Sequence, residues 1–181
     1  MMVEKADTAP AAMACISARP LTATSFSRYG DVLETDGDPD TLINQGNCGR
    51  WHDLARLDFG TGRGGISIFS ARSCMLPYRL EMLERHPLGS QAFIAMAGSA
   101  FLVIVAADAA GRPVDIEAFI AAPGQGVNLL ANTWHGVLTP LAEQADSPLP
   151  MAMFAVMDRV AGEGSNLEEY WLETPLLVTA G

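Results

Sequence analysis

Positive charge, thiols and imidazoles are all scarce in this chain. Across 181 residues there are 11 Lys and Arg against 21 Asp and Glu, a formal net charge of −10. Such a surface repels phosphate backbones and anionic lipid, which argues against nucleic acid or a membrane as the main partner. A small anionic substrate is still admissible, because one arginine is enough to pair a carboxylate. The three cysteines, Cys15, Cys48 and Cys74, lie far apart and form no C-x-x-C pair. They offer neither a disulfide framework nor a thiolate zinc site, and they fit a reducing compartment. No apolar run approaches the roughly 20 residues of a membrane helix. The opening MMVEKADTAPAAMAC is no basic leader, since Glu4 and Asp7 interrupt it and Pro10 breaks its apolar stretch. Residues 1–16 are therefore expected to form a loose N-terminal tail, 17–181 a single domain, and the cytoplasm is the expected location.

What the chain does have is core. Hydrophobic residues make up 49% of it, ample for one domain. They come in short segments punctuated by Gly and Pro: 31–35, 66–76, 78–85, 91–97, 100–107, 114–122, 133–141 and 151–160. Ile66 and Ile68 share one face, and Ile116, Ala118 and Ile120 another, as alternation in a strand requires. AFLVIVAA (100–107) is continuous and β-branched, the pattern of a strand buried on both sides. Short strands at this spacing predict an all-β barrel or sandwich. A short helix is expected at 22–29, capped by a hydroxyl and ended before Gly30. A second short helix is expected at WHDLARLDF (51–59), and GTGRGG (60–65) is expected to be a flexible loop.

Chemistry concentrates around the three histidines. In ERHPLGSQAF (84–93), Glu84 and His86 are two apart and aim together, while Arg85 faces the other way. A Pro-Leu-Gly-Ser turn can then return Gln91 beside them. After the glycine-rich turn APGQGVN (122–128) comes NTWH, and His135 begins another strand. If the barrel closes, two imidazoles, a carboxylate and an amide oxygen meet at its mouth. Such a set suits Ni, Mn, Fe or Zn. The alternative is that His86 and His135 are hydrogen-bonded structural residues and Glu84–Arg85 a surface pair. The third histidine lies in INQGNCGRWHDLA (43–55). There Arg50 can clamp a carboxylate, Asn44 and Gln45 can match a urea-like N–H and C=O, and His52 can titrate. The alternative is a plain turn at 44–47.

Taken together and in order, INQGNCGRWHDLA, ERHPLGSQAF and APGQGVNLLANTWH resemble the bacterial ureidoglycolate lyase family. PLTATSFSRYGDVLE (20–34) and MDRVAGEGSNLEE (157–169) extend the similarity over about residues 17–172. The resemblance implies a cupin-type double-stranded β-barrel with a few short helices, a homodimer and a divalent metal, commonly nickel. It also implies cleavage of (S)-ureidoglycolate to glyoxylate and urea in allantoin breakdown. Glu84-x-His86-x4-Gln91 resembles the first cupin motif with two ligands replaced, and His135 the histidine of the second. His86, His135, Gln91 and Glu84 are thus the expected metal ligands. His86, His135 and His52 are the expected catalytic groups, and Asn44, Gln45 and Arg50 the expected substrate contacts. One departure concerns the family's Trp-His-His-Pro, which here is Trp134-His135-Gly136-Val137, with one imidazole fewer. An amidohydrolase releasing ammonia and carbon dioxide, and a non-catalytic cupin binding a small acid, are the competing functions.

Overall fold

A computed structural model describes residues 13–143 and 149–181. Fourteen strands and one α-helix follow in order. They are β1 (Cys15–Pro20), α1 (Ala23–Phe26), β2 (Gly30–Leu33), β3 (Thr41–Ile43), β4 (Cys48–Arg50), β5 (Arg63–Arg72), β6 (Tyr78–Arg85) and β7 (Gln91–Ala95). Then come β8 (Phe101–Ala109), β9 (Arg112–Ala121), β10 (Gly126–Leu129), β11 (Trp134–His135), β12 (Thr139–Pro140), β13 (Met151–Ala161) and β14 (Glu168–Ala180). The chain is all-β, as the segment pattern predicts. One sheet runs β11-β6-β14-β1-β9-β8-β12, a second β2-β10-β7-β13-β5, and β3-β4 stand apart as a two-stranded hairpin. Because β11 pairs with β8 as well as β6, six strands of the first sheet close into a barrel.

Strand β8 explains how the layers share a core. Its Leu102, Ile104 and Ala106 face the inside of the closed ring with Leu80, Leu83 and Trp134. Its Phe101, Val103 and Val105 face the second sheet, packing with Phe93, Val127, Phe154 and Val156. The unbroken apolar run is therefore a strand buried on two sides. Strand β11 inherits the same division. Trp134 belongs to the ring interior, and His135, one residue on, lies opposite Val105 on the face between the sheets.

Three expectations require correction. The predicted tail ends too late, since Cys15 and Ile16 already pair with Leu177 and Val178 of β14; residues 1–12 of it lie outside the described residues. Residues 51–59 form no helix. Asp40 takes the His52 N–H and Asp31 the Arg56 N–H, so these donors point at side chains from elsewhere and no helical turn closes. The supposed loop at 60–65 is half strand, because Arg63–Gly65 start β5 opposite the end of β13. A glycine at 65 lets Val160 approach where a Cβ would lie 2.4 Å from its methyl. The helix at 22–29 does form, over Ala23–Phe26, with the Thr22 side chain accepting from the Ser25 N–H.

Arg85 faces away from Glu84 and His86, as alternation requires. Its guanidinium sits 4.4 Å over the Trp134 ring and donates to Asp108 and Glu168 at 2.9 and 2.7 Å. Both acids are well exposed, so the ion pairs add little. The stacked group itself is largely buried. Arg85→Ala is expected to cost about 1–2 kcal/mol in denaturant titration, mainly from lost stacking and stem packing. Turnover per folded molecule should persist. An unchanged midpoint would show that the stack contributes nothing.

Candidate active site and metal centre

The register of β11 on β6 places His135 directly opposite Glu84. One residue beyond β6, His86 brings its ring to 5.3 Å from that of His135, centroid to centroid. The chain holds this end together through its backbone, since the Asn132 N–H donates to the His86 carbonyl at 2.8 Å. Asn132 takes a left-handed φ of 67° to do so, a conformation asparagine tolerates. Across the turn, Gly89 is required by closeness: a Cβ there would meet Arg159 and the Asp58 carbonyl at 3.0 Å.

Both imidazoles are locked in one tautomer. His86 Nδ1 lies 2.6 Å from the Asn166 carbonyl, and His135 Nδ1 3.0 Å from the Gly136 carbonyl. A carbonyl only accepts, so each Nδ1 carries a proton, and in the neutral ring Nε2 is the atom with the lone pair. Both Nε2 atoms are buried without a hydrogen-bond partner. One donor atom from each of Glu84, His86 and His135 lies within 4.8 Å of the others. Burial, with His86 adding to it, pushes His135 down to about 4, so its ring is neutral at working pH. Burial also raises the Glu84 carboxyl above its ordinary range; the nearby His86 opposes this and Glu169 reinforces it. Two imidazole nitrogens without hydrogen-bond partners and a poorly solvated carboxyl group converge there. A divalent cation would satisfy all three donors, so these residues fit a metal ion.

Gly136 does not weaken this set. A Cβ at 136 would start 3.2 Å from the Ile104 side chain and 3.6 Å from Leu80, on the ring-interior face. It would not project beside His135. The imidazole absent from the Trp-His-His-Pro pattern thus takes nothing from the His135 side of the strand.

Gln91 occupies the facing sheet. It shares an inward face with Phe93, and Phe93 and His135 line one small pocket. The amide is 6% exposed; its Nε2 donates to Asp158 at 3.2 Å, and its Oε1 has no partner. Asp158 was not expected from the sequence. The signal was available: it continues the inward series Phe154, Val156, Asp158, where a carboxylate breaks an apolar face. Asn166 was also missed, and its backbone contact to His86 leaves no trace in residue type.

The stretch 44–52 belongs to the separate β3–β4 hairpin and the segment that follows it. Asn44 and Gln45 form the exposed turn between β3 and β4, both with positive φ. Arg50 donates to His52 Nδ1 at 2.8 Å, and both side chains are exposed. Among the described residues, no hydrogen bond or ion pair joins Asn44, Gln45, Arg50 or His52 to Glu84, His86, Gln91 or His135.

Comparison with known proteins bears on the same three stretches. The ureidoglycolate lyase family model matches residues 13–179. The chain belongs to the ureidoglycolate lyase family. It is 55% identical over 160 residues to a ureidoglycolate lyase from Rhodobacter capsulatus, covering 88% of this chain and 94% of that one. A Chelativorans ureidoglycolate lyase is 48% identical over 162 residues, covering 88% and 93%. Ureidoglycolate lyase 2 of Rhizobium meliloti is 45% identical over 162 residues, covering 88% and 94%. No described helix is long and apolar enough to cross a membrane.

Proposed function

We propose that this chain is a ureidoglycolate lyase that cleaves (S)-ureidoglycolate to glyoxylate and urea. The observation that carries the reading is the pair of buried, unpartnered Nε2 lone pairs beside Glu84. The reaction needs such groups. The hydroxyl O–H must give up a proton as its oxygen becomes the glyoxylate carbonyl. The C–N bond breaks, its electron pair goes to the ureido nitrogen, and that nitrogen takes a proton so that urea leaves neutral. With no ion bound, His135, held neutral, can accept the hydroxyl proton at Nε2, and Glu84, whose carboxyl keeps its proton to higher pH than an exposed one, can supply the departing nitrogen.

When a divalent ion is bound, nickel in the first instance, Glu84, His86 and His135 would hold it. Such an ion, when bound, lowers the pKa of a hydroxyl and fixes a carboxylate. The proposal extends to a cytoplasmic homodimer acting in allantoin breakdown on a small molecule, with neither nucleic acid nor membrane as partner. Arg50 is assigned the substrate carboxylate, with Asn44 and Gln45 on the same hairpin in support and His52 as a partner for the hydroxyl. Lysine keeps the charge but loses the planar fork. Arg50→Lys should therefore raise KM about tenfold with kcat little changed. Unchanged kinetics would remove the hairpin from the site.

The test of the activity is product analysis on racemic ureidoglycolate, with and without added nickel or manganese. Urea and glyoxylate in equal amounts, with urea persisting in the absence of urease, are expected. Ammonia and carbon dioxide would instead establish the amidohydrolase, and no turnover under any metal would leave a binding module.

A further inference from the structure

On the sheet that faces the histidines, the atom that calls for an explanation is the Gln91 amide oxygen. It is buried and has no hydrogen-bond partner among the described residues, an unfavourable state unless a ligand fills it. Its orientation is not arbitrary. Asp158 stands opposite Gln91 in the β13–β7 register, and one of its carboxylate oxygens lies 3.2 Å from Nε2. If the amide turned over, oxygen would face oxygen, acceptor against acceptor. The carboxylate therefore decides which end of the amide is free, and the free end is the oxygen. Phe93, on the same face of β7, borders the cavity that His135 also lines.

We propose that Gln91 and Asp158 form the subsite for the ureido group, with Gln91 Oε1 accepting from a substrate N–H and Asp158 fixing the amide in that orientation. This rests on the reading of the substrate given above. A ureido group carries N–H donors on both nitrogens, and an amide oxygen backed by a carboxylate offers acceptors alone. Gln91 touches substrate; Asp158 is a positioning residue that acts through it. Selectivity for ureidoglycolate over simple 2-hydroxy acids is then set on the sheet facing the histidines, by β7 and β13.

The experiment uses two ligands that differ in the ureido group. N-carbamoylglycine carries a carboxylate and a ureido group. Glycolate carries a carboxylate and a hydroxyl but no ureido nitrogen. Their dissociation constants are measured by calorimetry on the full chain, loaded with metal, for the wild type, Asp158→Asn, Gln91→Met and the double variant. Asparagine is isosteric and lets the Gln91 amide turn over. Asp158→Asn is expected to weaken N-carbamoylglycine about ten- to a hundredfold and to leave glycolate and the metal content unchanged. In the Gln91→Met background, Asp158→Asn should add almost nothing, because its route is gone. Equal weakening of both ligands would make Asp158 merely structural and overturn the proposal. So would unchanged N-carbamoylglycine binding. Loss of metal on Asp158→Asn would assign the Gln91 oxygen to the ion instead. A wild type that binds N-carbamoylglycine selectively yet yields no urea from ureidoglycolate would sink the activity while sparing the subsite.

Discussion

His86→Ala is expected to lower kcat by about 10²–10⁴, the usual cost of losing one positioned proton-transfer group, in a protein that still folds. The fold should survive because His86 lies beyond the last residue of β6 and belongs to neither apolar cluster. Among the described residues its side chain makes one hydrogen bond, to the Asn166 carbonyl, and its backbone bond from Asn132 survives the substitution. Removing the ring frees the segment around Asn166 and leaves His135 Nε2 without its neighbour. Metal content measured beside the rate separates two roles. A ligand's loss empties the site, so the variant should bind nickel or manganese much more weakly and recover in part at high metal. A base's loss leaves metal in place and is not rescued by it. Normal turnover with normal metal would return ERHPLGSQAF to a strand end and nothing more.

That stretch was legible because a strand's period is two. Alternation alone separated Glu84 and His86 from Arg85, and the structure sends Arg85 to Trp134 and the other two to His135. The eight apolar segments all contain strands. The segments that failed to declare themselves were those whose partners decide their state. Residues 168–180 mix Glu, Tyr, Trp and Pro without clean alternation, yet β14 is the longest strand, held between β6 and β1. Residues 126–129 look like the end of a glycine-rich turn, but β10 is fully buried between β2 and β7. Residues 51–59 have helical spacing, and aspartates from distant segments claim their N–H groups first. At the site, residue type pointed to the histidines and to Gln91. What it could not convey was the backbone: which carbonyl fixes each tautomer, or that a side chain at 136 would point into the ring.

Acid should destabilise the metal-free protein through His135, which makes stability the second measurement. Its pKa in the fold is about 4, against 6.5 when unperturbed. Between those values the unfolded chain takes up a proton that the folded chain refuses, so stability rises with pH across the window. The contribution is present in full above 6.5 and is lost as pH falls through about 4. Over the whole interval it amounts to about 3 kcal/mol, of which about 2 are lost between pH 7 and pH 5. Glu84 acts with the opposite sign. Its raised pKa means that the folded state holds a proton longer, so its contribution is present at low pH and fades as pH climbs above the ordinary carboxylate value. It offsets part of the His135 loss as pH falls toward 5. Urea titrations of chelator-treated protein at pH 7 and pH 5 should therefore show a clear drop for the wild type and a smaller one for His135→Gln, which has no imidazole to titrate. Parallel drops in the two proteins would mean that another group governs the acid limb and that His135 is not held neutral by its burial. A variant that gains stability at pH 5 relative to the wild type would identify the buried imidazole as a stability cost in acid.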